Sequence, residues 1–329
     1  MEEGKKRMAV LVGCNYPNSN YKLHGCINDV VAMRDVLVNR FGFDLSHIEL
    51  LADAPAAPGG GSNLEMMMPT GANIKKALDE MVGKAEPGDV LVFHYSGHGT
   101  RIPSKWPGFP FRQDEAIVPC DFNLITDTDM RQLVNKLPKG TSFTMISDSC
   151  HSGGLIDKEK EQIGPNSTTK TTPSTTTNNN PKHIPFNSIL EHFISLTGIN
   201  TSDIATHLLE LFGADASFKF RLQSSLEHYL YDDESLILKA DDGILLSGCQ
   251  ANETSADMSP VEGKGKAHGA FSNALQIVLK ENPNRILSNR EVVIMARKAL
   301  EAQGFAQHPC LYCSDINADA PFLWHPNSC

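Results

Sequence analysis

Three stretches of the chain carry apolar residues at consecutive positions, and nothing else in it limits the fold as sharply. They are RMAVLVGCN from Arg7, GDVLVFHYSGHG from Gly88 and GILLSGCQ from Gly243, and TSFTMISDSC from Thr141 reads as a further strand. A strand with one wet face alternates apolar and polar side chains. A strand that is apolar at every position is covered on both faces. Such strands pair in a mostly parallel sheet with helices on either side, an α/β architecture. HIELLA, from His47, adds a further strand of the same kind.

The segments between these strands have helical spacing. CINDVVAMRDVLVNRFGF puts Ile27, Val30, Val31, Val36 and Leu37 on one stripe, and Gly42 ends it. Thr70 is placed to cap a helix over Ala72 to Val82. The stretch NSTTKTTPSTTTNNNPK, residues 166–182, is almost purely polar and predicts an exposed, disordered linker. Beyond it SILEHFISL and TSDIATHLLELFG read as helices, the second capped by Thr201 or Ser202 and stopped by Gly213. GAFSNALQIVLKE and NREVVIMARKALEAQGF are two more, and HPCLYCS reads as a last edge strand. The chain thus divides into a large segment, 1–157, a linker region, 158–240, disordered around 165–182 and then helical, and a small C-terminal segment, 241–329.

Charge and composition exclude several classes. The net charge is −10 and no basic stripe is present, which argues against nucleic acid as a partner. No apolar run approaches the roughly 18 residues of a membrane span. The first apolar run, Met8 to Val12, is too short for a signal-peptide core. The expectation is a cytoplasmic or nuclear protein whose eight cysteines are free thiols, with leaderless release as an open alternative.

Chemistry concentrates in two strand-end loops, FHYSGHG and SDSCHSGG, where open α/β sheets build their sites. Cys150 invites pairing with its neighbour His151. Adjacent side chains in an extended segment point opposite ways, so His151 is a poor base. His98 is the better one: it sits between Gly97 and Gly99 on a different strand-end loop. A thiol nucleophile needs such a base. Gly99 and Cys150 offer backbone N–H groups to a developing oxyanion. Asp148, two residues before Cys150, and Asp29, in the first helical turn, are carboxylates suited to a cationic side chain.

HYSGHG and DSCHSGG together resemble the metacaspase signature among the caspase-like cysteine peptidases. The 52 residues from His98 to Cys150 match the spacing of about 50 used by caspases. The resemblance extends through LVGCNYP, LHGCINDV, DEAIVPCDFNLITD, SGCQANETSAD, GAFSNAL and HPCLYCSD, and is greatest to the plant type II, metacaspase-9-like group. It implies a caspase-like fold with an inserted linker and a His98–Cys150 dyad. It also implies a pocket for Arg or Lys lined by Asp29, Asp148, Ser96 and Cys26. Peptide and protein substrates with Arg or Lys before the cut bond follow, together with the chain's own linker. The implied enzyme is a monomeric zymogen linked to stress or programmed cell death, cutting itself after Lys182, before His183, with Lys158 and Lys170 as alternatives. A catalytically weak scaffold is the competing expectation.

Calcium is the remaining question. Many type II metacaspases need it, and the resemblance implies that metal-ligand positions of the wider family correspond to Asp114, Asp127, Asp129 and Asp157. Here Thr128 interrupts the acidic run, which lowers the charge such a site would offer. The expectation is no required cofactor and little calcium requirement.

Overall fold

A computed structural model describes residues 5–53, 67–103, 113–156, 160–164, 179–224, 243–250, 253–259 and 265–324. In chain order the strands are β1 (Arg7–Gly13), β2 (Ile48–Ala52), β3 (Val90–Ser96), β4 (Gly99–Pro103), β5 (Gln113–Ile117), β6 (Ile125–Thr126) and β7 (Ser142–Asp148). They continue with β8 (Glu161–Ile163), β9 (Asn179–Pro181), β10 (Ile244–Ser247), β11 (Ala256–Met258), β12 (His268–Gly269) and β13 (Cys310–Tyr312). The helices are α1 (Cys26–Phe41), α2 (Gly71–Gly83), α3 (Asp127–Asn135), α4 (Phe186–Thr197), α5 (Ile204–Phe212), α6 (Phe218–Ser224), α7 (Ala270–Glu281), α8 (Asn289–Ala302) and α9 (Asp315–Asp319).

The central sheet runs β2-β1-β3-β7-β10-β13-β8. Its first five strands are mutually parallel, and β13 and β8 close it in antiparallel sense. The unbroken apolar runs are explained by what each pleat meets. Ala9 and Leu11 of β1 and Val92 of β3 pack with α1, α7 and α8. Met8, Val10 and Val12 and, from β3, Leu91 and Phe93 pack with α2 and α3 on the other face. The mostly parallel, doubly covered sheet is therefore the expected one. Gly42 ends α1 in the left-handed region, at φ 66°, and the Thr70 hydroxyl accepts from Asn73 N at 3.2 Å to cap α2.

Several expectations need correction. β13 is not the edge strand, because β8 pairs outside it. The cap of α5 is Asp203, whose carboxylate accepts from Thr206 N; Thr201 lies too early and instead accepts from Asp203 N. The antiparallel sheet β4-β5-β6 lies in a stretch to which the apolar pattern assigns no element. It forms the floor for α4, α5 and α6, which pack on it through Ile189, Phe193, Leu208 and Phe220, with Ile184, just before α4, in the same core. The largest correction concerns the linker. Residues 165–178, Lys158, Lys170 and Asp157 lie outside the described residues, but Asn179–Pro181 is strand β9, paired with β11. Lys182, expected to be exposed, has 0 % exposure. Among the described residues no helix is long and apolar enough to cross a membrane.

Candidate active site

β3 and β7 lie side by side in parallel register, with Ser96 opposite Asp148. His98 and Cys150 each stand two residues beyond that pair, so adjacent strand ends deliver both. His98 is buried. Its Nε2 lies 2.7 Å from the Tyr21 carbonyl oxygen, which can only accept. Nε2 therefore carries the proton and Nδ1 is the free base, buried without a hydrogen-bond partner. The ring packs on Tyr16 at 4.7 Å. Burial, chiefly, pushes the imidazole down to about 4, so it is neutral at ordinary pH.

Cys150 is also buried, and Ser255 N donates to its Sγ at 3.0 Å. His151 takes a left-handed backbone, φ 54°, and its ring meets His183 edge-on at 4.7 Å.

The chain itself fills the groove. Gly99 N and Cys150 N both donate to the Lys182 carbonyl oxygen, at 3.1 and 3.2 Å. Lys182 N donates to Ser255 O at 2.9 Å, and β9 continues this ladder along β11. On the far side Ile184 N donates to Gly99 O at 3.2 Å, and the Thr100 hydroxyl donates to Ile184 O at 2.8 Å.

The Lys182 side chain runs into a closed polar pocket. Its Nζ lies 3.2 Å from Asp148 Oδ2 and 3.4 Å from Asp29 Oδ2, and donates to Ser96 Oγ at 2.9 Å. Ser96 in turn donates to Asp29 Oδ2 at 2.7 Å, so one hydroxyl serves both groups. Asp148 accepts from Ser255 Oγ at 2.6 Å and Ser272 N at 2.8 Å, and Asp29 from Gly269 N at 2.9 Å. Cys26 heads α1 beside Asp29; burial raises its thiol pKa, partly offset by Lys182.

Two carboxylates and one ammonium share this dry space. Burial and then Asp148 push Asp29 up, against Lys182, to about 6. At Asp148 burial also acts upward, but Lys182 and the donors from Ser255 and Ser272 outweigh it and hold the carboxyl below its usual range. Lys182 keeps its proton: Asp148, with Cys26 and Asp29, overcomes the desolvation that would lower it. Ser255, Ser272, Gly269 and Tyr21 were not singled out from sequence. Three of them act through backbone atoms, which leave no mark on residue type.

The remaining expected positions lie elsewhere. Asp114 and Asp127 face Lys219, and Asp129 caps α3. Among the described residues no group of three or more His, Cys, Asp or Glu side chains is arranged to hold a metal ion.

The comparisons with known proteins agree with this architecture. The caspase-domain family model matches residues 6–321. The chain is 60 % identical to metacaspase-9 of Arabidopsis thaliana, covering 98 % of each. It is 37 % identical to Arabidopsis metacaspase-6, over 96 % of this chain and 99 % of that one. It is 32 % identical to metacaspase-1 of Schizosaccharomyces pombe, over 94 % of this chain and 67 % of that one. A crystal structure of a Geobacter sulfurreducens protein superposes with a TM-score of 0.58 at 19 % identity, covering 97 % of this chain and 98 % of that one, a likeness of fold alone.

Proposed function

The chain belongs to the metacaspases of the caspase-domain family, and on that footing we propose that it is a cysteine endopeptidase that cuts after Arg or Lys and first cuts itself between Lys182 and His183. One observation carries the reading: Lys182 is seated at both ends, its carbonyl on two backbone N–H donors and its ammonium on Asp29 and Asp148.

Those contacts support the following mechanism. The Cys150 thiol gives its proton to His98 Nδ1 as the sulfur attacks the carbonyl carbon of Lys182. Negative charge gathers on the carbonyl oxygen, where Gly99 N–H and Cys150 N–H already point. His98 passes the proton to the departing amide nitrogen of His183, and the bond breaks to leave a thioester. Water, deprotonated by the same imidazole, then releases the carboxylate and restores the thiol. The Tyr21 carbonyl fixes the ring tautomer throughout. A Lys or Arg side chain is selected because an acidic one would face two carboxylates. No step calls for a metal or other cofactor, and substrates are peptides and proteins that can enter as a strand beside β11.

The test is amidolysis of peptides ending in Arg, Lys or Asp, with mass spectrometry of the purified chain. Cys150→Ala is expected to abolish turnover and to leave an intact chain, whereas the unsubstituted protein yields a fragment beginning at His183. Equal activity in Cys150→Ala would remove the mechanism. Turnover of Asp peptides alone would remove the pocket. A fully active chain with an uncut Lys182–His183 bond would remove self-processing.

A further inference from the structure

A second buried charge cluster lies apart from the dyad and the pocket, where β5, α3 and α6 meet. Asp114 is on β5, Asp127 opens α3, and Lys219 stands in the first turn of α6. Lys219 Nζ lies 2.6 Å from Asp114 Oδ2 and 3.3 Å from Asp127 Oδ1. The three side chains are 12, 2 and 7 % exposed in the order Lys219, Asp114, Asp127. The second oxygen of Asp127 faces Arg131 at 3.9 Å. Asp129 spends both its oxygens on protein donors. Oδ2 accepts from Thr126 N at 2.8 Å in the cap of α3, and Oδ1 accepts from Phe218 N at 3.1 Å, the residue before Lys219.

These aspartates hold the positions at which the metacaspase resemblance places calcium ligands. They do not fit the ion. Calcium takes six to eight oxygens at about 2.3–2.6 Å. Here an ammonium stands between the first two carboxylates, the third is saturated by backbone donors, and Thr128 brings no charge. A divalent cation would have to displace Lys219 from a nearly closed space.

We propose that Lys219 is a built-in substitute for that cation: its ammonium, carried on a segment downstream of the Lys182–His183 bond, neutralises Asp114 and Asp127 and so docks α6 against α3. The two buried carboxylates need a positive partner, since an unpaired buried charge is strongly destabilising. The protein supplies it from its own chain. Neutralisation is then permanent, and the local fold does not depend on the calcium level.

The test uses the full chain carrying Cys150→Ala, so that it stays uncut, and reads calcium binding by calorimetry and stability by thermal unfolding. This parent is expected to show no calcium heat and no shift of its midpoint in millimolar calcium. Adding Lys219→Gln is expected to lower the midpoint by several degrees, and calcium to restore it. Asp114→Asn in that background should erase the rescue, and Lys219→Arg should behave as the parent does. Calcium binding by the parent that Asp114→Asn removes would overturn the proposal. So would a Lys219→Gln chain as stable as the parent, or one that calcium fails to recover, including one that stays unfolded in its presence.

Discussion

Asp29 and Asp148 are the same residue type, a few ångströms from the same ammonium, yet their surroundings drive them apart. Asp148 receives a hydroxyl and a backbone N–H as well as Lys182, and stays ionised. Asp29 is pushed up to about 6 with the lysine seated. The sign is that of a raised carboxyl. Between about 4, the exposed value, and about 6 the loaded site holds a proton that an exposed Asp would not. Its contribution therefore grows as pH falls through 6 and is lost as pH rises. Asp148→Asn is expected to lower kcat/KM for Lys and Arg peptides about 100-fold at any pH from 5 to 8, the usual scale for one truncated partner of a buried charge pair, about 3 kcal/mol. Asp29→Asn is expected to cost little near pH 5, where a neutral group replaces a neutral group, and to approach the Asp148 penalty near pH 7.5. Steady-state kinetics of the two variants across that range check this; identical pH profiles would contradict it.

At the scale of elements, the pocket depends on a two-residue strand. β12 ends in Gly269, whose backbone, φ −73° and ψ 140°, any residue can adopt. A Cβ there would fall onto Asp148 Oδ2, Asp29 Oδ2 and Lys182 Nζ. Gly269→Ala should thus leave the fold alone and fill the pocket, lowering turnover of Lys and Arg peptides by about 10–100-fold, the scale of an overpacked site. Circular dichroism would stay unchanged while KM rises; an unaltered KM would refute it. The same strand shows where sequence reading stops. β1, β3 and β10 were legible from their apolar runs and β7 from the strand that leads into Cys150, which set His98 and Cys150 on neighbouring strand-end loops; the grouping of Asp29 with Asp148 came from the metacaspase resemblance. β4, β5 and β6 were not legible, since they alternate weakly in a stretch rich in polar residues. β9, Asn179–Pro181, was read as disorder because its composition is polar. Its order comes from a backbone ladder to β11 and from the burial of Lys182, and neither depends on an apolar pattern. The donors on Gly269, Ser272 and Ser255 went unread for a related reason: most of what they supply is N–H, which every residue but proline has.

Considered whole, the described residues form three apolar cores. Two lie on the faces of the central sheet, and the third seats α4, α5 and α6 on the small antiparallel sheet. The Lys182–His183 bond crosses between these bodies. On its amino side β9 is laddered to β11, and on its carboxyl side Ile184 is buried in the third core. The bond is held from both directions, its carbonyl on the N–H groups of Gly99 and Cys150. On the proposed self-cutting no encounter between molecules is needed, so the half-life of the uncut chain should be the same at nanomolar and micromolar concentration. Serial dilution of freshly folded protein measures this, and a half-life that lengthens with dilution would mean that one copy cuts another. Under unimolecular control the interval between synthesis and self-cutting becomes a property written into each chain, indifferent to how many others the cell has made.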